Sequence, residues 1–270
     1  EKIVKVGHCQ YGESKSITRI INSKGVNLNR EFSYALTMIG ALASDGKETS
    51  IGYERDIQFD ITKFDYDKLT KNSVDEALSS LGAGSLSTGQ YTAVFRYDVM
   101  TSILRAFSTV FSGQSAMKKL TLLTDKINQK VFGANINIID DPFTNHAIVK
   151  QPFDDEAVPC VTKNIVENGV FKGFMHDLSS ANFFNVNPTG NGFKASVSGT
   201  VSVSPTNLYL QPGDKSFDEL VGSVSKGILV TNVSGLHAGL NPISGAFNVQ
   251  ASGFEIENGK IGRPVTLFVV

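Results

Sequence analysis

Three Asx-Gly pairs set between apolar, β-branched runs constrain the fold of this chain more than any other feature. Asp45-Gly46 separates residues 34–42 from 50–59, Asn168-Gly169 separates 165–167 from 170–171, and Asn258-Gly259 follows the run 254–257. A two-residue hairpin turn of the primed type needs backbone conformations with positive φ, which Asn, Asp and Gly tolerate. A fourth turn, Asn22-Ser23-Lys24-Gly25, closes the run 16–21. Hairpins pair their strands antiparallel, so the class is α+β and a doubly wound parallel sheet is excluded.

Helices are marked by caps and by apolar residues at helical spacing. Ser73-Val74-Asp75-Glu76 reads as a capping box opening a helix with Val74, Ala77, Leu78 and Leu81 inward and Gly82 as its stop. Ser216-Phe217-Asp218-Glu219 repeats the device, with Leu220, Val221 and Val224 inward and Gly227 as terminator. Asp98 caps a third helix bearing Val99, Ile103, Phe107 and Val110 on one face. Leu120, Leu123, Ile127 and Val131 mark a fourth. From about residue 133 onward the runs 134–139, 158–167, 170–175, 196–203, 206–210, 228–233, 247–257 and 263–270 read as strands. Gly82-Ala83-Gly84 is the expected boundary. Residues 1–83 read as the tail of an α/β-type N-terminal domain whose upstream part is missing, and 84–270 as a largely antiparallel, β-rich domain with a few capped helices.

Charge limits the partners. With 25 basic and 26 acidic residues the net charge is -1, which gives no field to gather nucleic acid. No apolar run approaches the ~20 residues of a membrane-spanning helix. Two cysteines, Cys9 and Cys160, are too few for a disulfide scaffold and read as free thiols in a reducing cytoplasm. Cys160, in a strand with nothing nearby to lower its pKa, reads as a buried structural thiol. His8 and Cys9 adjoin, but successive strand residues face opposite ways, so they form no dyad.

Other chemistry is thinly represented. No G-x-S-x-G elbow occurs. The histidines His8, His146, His176 and His237 are scattered, without an H-E-x-x-H pair. Asp140-Asp141 and Asp154-Asp155-Glu156 have the oxygen ligands of a hard-cation site, but beside Pro142 and Pro152 they read first as acidic turns. Gly190-Asn191-Gly192 is too short for a phosphate cradle, and reads as a flexible loop or a close backbone approach to a partner.

The order of motifs resembles the TldD/PmbA family. The segment Pro152-Phe153-Asp154-Asp155-Glu156-Ala157-Val158-Pro159 is followed by Val166-Glu167-Asn168-Gly169-Val170-Phe171-Lys172-Gly173. These are similar to that family's central core. Thr189-Gly190-Asn191-Gly192 resembles its "STGN" loop, and Asn207-Leu208-Tyr209-Leu210 with Pro212-Gly213-Asp214 its "NLYL-x-PGD" run. Gly253-Phe254-Glu255-Ile256-Glu257-Asn258-Gly259-Lys260-Ile261 resembles its closing hairpin. The likeness covers nearly the whole chain.

The resemblance implies a pair of related subunits, in which TldD-like chains hold a catalytic metal with H-E-x-x-x-H on a helix and carry a Cys near the C-terminal glycine-rich segment. Here Arg105 stands at the first His position, Ala106 at the Glu position and Val110 at the second His. The segment Ser234-Gly235-Leu236-His237-Ala238-Gly239-Leu240-Asn241-Pro242 has no Cys. A permanent cation and two hydrocarbon side chains offer no lone pair to a metal. Phe111-Ser112-Gly113-Gln114-Ser115-Ala116 is like the PmbA (TldE) branch. The resemblance therefore implies a non-catalytic subunit of a cytoplasmic metalloprotease acting on unfolded peptides. It would carry no catalytic residues, no metal and no cofactor of its own, and would pair with a TldD-like chain or with itself. Gly190, Asn191, Gly192, Leu236 and His237 are the expected peptide-groove or interface positions. Two alternatives stay open: a stand-alone hydrolase with a site built from His146, His176 or His237, and a regulatory module behind the family's "modulator of DNA gyrase" label, linked only indirectly to gyrase.

Overall fold

The structure, a computed structural model, describes residues 2–145 and 147–270. The chain opens with a meander of long strands, β1 (Ile3–Ile21), β2 (Asn27–Ser44) and β3 (Thr49–Gln58), antiparallel in the order β1-β2-β3. Helix α1 (Tyr66–Ser79) lies across it. The contact is made of small residues, Ala41 and Ala43 against Ala77, with Leu81, Val74 and Leu78 filling the flanks. Ser73 is completely buried on this face, where its hydroxyl donates to the Thr70 carbonyl at 2.9 Å. The expected helix is present, but its cap is Asp65, whose carboxylate accepts the Lys68 amide at 2.9 Å. Ser73 is a core-facing residue in mid-helix, so the capping-box reading placed the start too late.

Two further sheets follow. β4 (Thr92–Phe95), β11 (Lys226–Ser234), β14 (Gln250–Glu257) and β15 (Lys260–Val269) form one, in the order β15-β14-β11-β4. β4 is parallel to β11 and the other pairs are antiparallel. Helix α2 (Tyr97–Phe107) covers one face through Val99, which packs with Ile228, Val230 and Val265. Helix α5 (Phe217–Gly222) covers the other, with Val221 and Val224 against Leu229 and Ile256. Covered on both faces, the Gly227–Val230 half of β11 is buried without a break, and alternation returns only from Thr231.

The remaining sheet has the order β10-β5-β6-β7, from β5 (Ile138–Asp140), β6 (Lys163–Glu167), β7 (Val170–Phe171) and β10 (Leu208–Leu210). Helices α3 (Gly113–Met117) and α4 (Leu178–Phe184) adjoin it, and Phe111, Ile165, Phe171 and Met175 form its core. Two small hairpins complete the fold, β8 (Gly192–Lys194) with β9 (Val201–Val203), and β12 (Leu240–Asn241) with β13 (Ala246–Phe247). Helix α6 (Leu236–Gly239) precedes β12. The architecture is α+β and mostly antiparallel. Two of the three Asx-Gly pairs form the expected two-residue turns: Asn168 and Gly169 have φ of 50° and 79°, Asn258 and Gly259 51° and 74°. Asp45-Gly46 instead joins its strands through the longer loop Asp45–Glu48, between the paired Ser44 and Thr49, with positive φ at Gly46 but not at Asp45.

Several expectations need correction. The helix at 120–131 does not form. Its Leu123 is buried but Leu120 and Ile127 are exposed, and positive φ at Lys119 and Asn128 breaks the segment into turns. Asp98 does not cap α2; it lies in the first turn and pairs with Arg96, the actual cap position. The Ser216–Glu219 capping box is present, but α5 stops at Gly222, Leu220 faces outward, and Gly227 is already in β11. Several expected strands are shorter: β5 replaces 134–139, β7 replaces 170–175, and Cys160 lies outside any strand.

Candidate functional site

Helix α2 positions the stretch that resembles a degenerate metal motif. Val99 anchors its first half to β11, and after Phe107 the chain tightens into a 3-10 turn, Ser108–Phe111. Residues i and i+5 of a regular α-helix point about 140° apart at 3.6 residues per turn, and a 3-10 turn, at about 120° per residue, turns such a pair further apart still. Positions 105 and 110 therefore face different sides. Arg105 is exposed, while Ala106 and Val110 are half-buried and Val110 packs against the Phe111 core.

The end of α2 meets the glycine-rich C-terminal segment. Gly235 enters α6 with φ of 77°, α6 packs against α2, and the Phe107 and Phe247 rings lie 6.0 Å apart. The fold thus brings together the two stretches that the resemblance links through a metal. Leu236 is half-buried and His237 is exposed there. The donors do not fit a metal. One guanidinium, two hydrocarbon side chains and a lone imidazole cannot supply three lone pairs. Among the described residues no three His, Cys, Asp or Glu side chains gather closely enough to hold an ion. His146 lies outside the described residues.

Gly190-Asn191-Gly192 is a buried knot and no flexible loop, which corrects the sequence reading. Asn191 is fully buried; its amide donates to Asp140 Oδ2 and the Ser204 carbonyl, both at 2.9 Å, and its carbonyl accepts from Thr189 Oγ1 at 2.7 Å. Gly192 N–H donates to Asp154 Oδ2 at 2.8 Å. Gly190 has φ of 70°, and a Cβ there would come 2.5 Å from the Cys160 Cα, so only glycine fits. The close backbone approach is therefore internal, and the three residues present no exposed groove surface.

The acidic turns close this knot. Asp140, fully buried, accepts from Thr206 N, Thr206 Oγ1 and Asn207 N on Oδ1, and from Lys163 Nζ and Asn191 Nδ2 on Oδ2. Asp154 accepts the amides of Glu156 and Val158 as well as Gly192; burial raises its pKa, partly offset by these three bonds. Asp155 pairs with Arg30 at 2.8 Å and ties the β1–β2 hairpin to this loop. Cys160 is buried, its thiol donates to the Gly190 carbonyl, and burial pushes its pKa up to about 12, the state of an inert structural thiol.

His176 is also a core residue. Its ring packs edge-on against Phe184 at 5.8 Å and Phe174 at 6.4 Å, with Nδ1 3.2 Å from Ser180 Oγ. Burial lowers its pKa, opposed by Asp177.

Two open features flank α2. A polar cleft of about 520 Å³ runs between β3, α1 and the start of α2, lined by Glu54, Asn72, Tyr97 and Asp98. Arg96 bridges it, with Nη1 2.6 Å from Glu76 and Nε 2.7 Å from Asp98. Burial works against the Arg96 charge, but the hydrogen bonds it donates to Asp98 and Glu76, with their negative charge, outweigh it and raise its pKa. On the far side of Tyr97 an apolar groove of about 660 Å³ lies between β4, α2 and β10. Neither was legible as a site in sequence. The Leu208–Leu210 strand that lines the groove stood out only as part of a motif, because its role depends on which distant strand it faces.

Comparison with known proteins assigns both parts of the chain. Residues 88–270 match the model of the PmbA/TldA metallopeptidase C-terminal domain, and residues 1–81 that of the central domain. A metalloprotease PmbA homolog of Haemophilus influenzae is 27% identical over 98% of this chain and 56% of its own length. A metalloprotease TldD homolog of the same organism is 30% identical over 72% of this chain and 40% of its own. A crystal structure from Thermotoga maritima, described as a candidate modulator of a DNA gyrase, superposes with a TM-score of 0.91 at 31% identity. It covers 98% of this chain and 60% of that one. This chain thus spans between 40% and 60% of the length of these relatives.

Two outcomes follow from the buried polar groups. Asn191→Ala leaves Asp140, Thr189 and Ser204 short of partners and is expected to lower stability by roughly 2–4 kcal/mol in urea unfolding. A structure tolerant of that loss would remove the knot from the account. His176 has a folded pKa below its unfolded value near 6.5. As pH falls below about 6.5 the unfolded chain takes up a proton that the folded chain refuses, so this contribution to stability is lost in acid. His176→Gln is expected to flatten the stability–pH slope just below 6.5, read from melting temperatures across that range.

Proposed function

The chain belongs to the PmbA/TldD metallopeptidase family, and from that premise we propose that it acts as the non-catalytic, PmbA/TldE-type subunit of a two-chain peptidase. Its partner is a TldD-like chain that carries the metal, or a second copy of itself where none exists; the substrate is unfolded peptide. The observation that carries this reading is the set of side chains at Arg105, Ala106 and Val110, together with a 234–242 segment lacking cysteine. A zinc-type ion needs imidazole, carboxylate or thiolate donors, and a fixed guanidinium repels it. The local scaffold supports the same reading, since the helix end and glycine-rich segment lie together while their donors are missing.

The division of the chain near residue 83 into a central and a C-terminal domain belongs to the proposal, as does a cytoplasmic location. The free thiols of Cys9 and Cys160 suit a reducing compartment. Among the described residues no helix is long and apolar enough to cross a membrane. A balanced net charge supports no direct contact with DNA.

The test is a reconstitution. The chain alone is expected to leave an unfolded casein fragment intact; together with the TldD-like chain of the same organism it co-elutes in gel filtration and cleavage exceeds that of the partner alone. Cleavage by the chain alone, or a partner indifferent to it, would overturn the assignment.

A further inference from the structure

The apolar groove beside α2 lies where two sheets run out. β10 ends the order β10-β5-β6-β7 and β4 ends the order β15-β14-β11-β4, and both edges line the groove. The edges are short, four residues in β4 and three in β10, so an added strand would find few backbone partners there. Side chains therefore set the chemistry of the surface. Val94 and Phe95 of β4, Met100 and Leu104 of α2, and Leu208 and Leu210 of β10 line it, and each is only half-buried. Phe217 and Leu220 of α5 add apolar surface, 45% and 42% exposed. Apolar side chains left open in one concave patch mark a binding site, and about 660 Å³ falls within the usual range for small ligands.

Charge narrows the occupant. The charged side chains that line the groove, Arg96 and Lys215, are both cationic, and no carboxylate lines it among the described residues. The two cations differ in what they have left to offer. Arg96 is already held by Glu76 and Asp98. Lys215 is exposed and forms no ion pair among the described residues. Its sequence neighbour Asp214 does not line the groove. Glu219 is turned back on Ser216, whose N–H and Oγ donate to its Oε2 at 2.7 and 2.8 Å. An ammonium without a partner beside hydrocarbon walls matches a ligand with an apolar body and a single negative charge.

We propose that this groove binds a free fatty acid, with the hydrocarbon chain between β4, α2 and β10 and the carboxylate at Lys215. An acyl chain asks for no hydrogen bonds along its length, which suits walls built from Val, Leu, Met and Phe. The proposal does not rest on the reading of the chain as a peptidase subunit.

The test titrates the full chain with hexanoate, octanoate, decanoate and dodecanoate, each below its micelle threshold, by calorimetry at low ionic strength. One saturable site is expected. Affinity rises roughly two- to fourfold per added methylene until the groove is filled, the gain from burying one CH2. Dodecylammonium is expected to bind severalfold more weakly than dodecanoate, because it meets Lys215 with like charge. Met100→Glu, at a half-buried position outside the core clusters, sets a carboxylate among the methylenes. It is expected to weaken dodecanoate about tenfold or more with an unchanged melting temperature. Lys215→Gln is expected to weaken octanoate about two- to fivefold and leave octanol unaffected. Absence of saturable binding, affinity independent of chain length, equal affinity for dodecylammonium, or unchanged affinity in both variants would each overturn the proposal. So would a hexapeptide of alternating leucine and threonine that binds, loses affinity in Met100→Glu, and is not displaced by dodecanoate. None of these outcomes bears on the reconstitution result.

Discussion

The C-terminal part of this fold depends on a carboxylate with no access to water. Asp140 is fully buried, and a bare charge there would cost several kcal/mol or more. Five donors offset that cost: Lys163, the Asn191 amide, and three groups from Thr206 and Asn207. Those donors come from three separate stretches of chain, so Asp140 can be satisfied only when β5, β6, the Gly190–Gly192 turn and the approach to β10 are all in place. A buried polar group that tolerates one arrangement and penalises the rest is a source of specificity as much as of stability.

This explains why the stretches that carry the family resemblance are scattered in sequence yet adjoin in space. The acidic run at 152–159 supplies Asp154 to Gly192. The Thr189–Gly192 run supplies Asn191 to Asp140, and Asn207 at the head of its own motif closes on the same carboxylate. Residues that looked available for metal or phosphate chemistry are spent on one another. The surfaces left open are elsewhere, in the cleft bridged by Arg96 and the groove between β4 and β10. Arg96 has a part in both, since it holds α1 and α2 together while its neighbour Tyr97 divides the polar space from the apolar one.

Short-range rules carried far into the sequence and then stopped. The Asx-Gly hairpins and the Ser216 capping box were legible because their physics is complete within a few residues. The helix at 120–131 failed because Leu120, Leu123, Ile127 and Val131 have helical spacing by coincidence, and the backbone breaks at Lys119 and Asn128. Ser73 misled in the opposite sense: a hydroxyl that resembles a cap is buried in mid-helix against Thr70. The candidate site was legible as a set of residue types, Arg105, Ala106 and Val110, but not as a place. That α6 and Phe247 close on the end of α2, and that two sheet edges share one groove, depends on contacts between residues more than a hundred positions apart.

The account stands or falls on whether the stretch around Arg105 can hold a metal. Elemental analysis by mass spectrometry of the chain, purified without chelators and dialysed against micromolar zinc, measures this directly. Well under one ion per chain is the predicted result; one tightly held ion per chain, lost together with a change at Arg105 or His237, would contradict it.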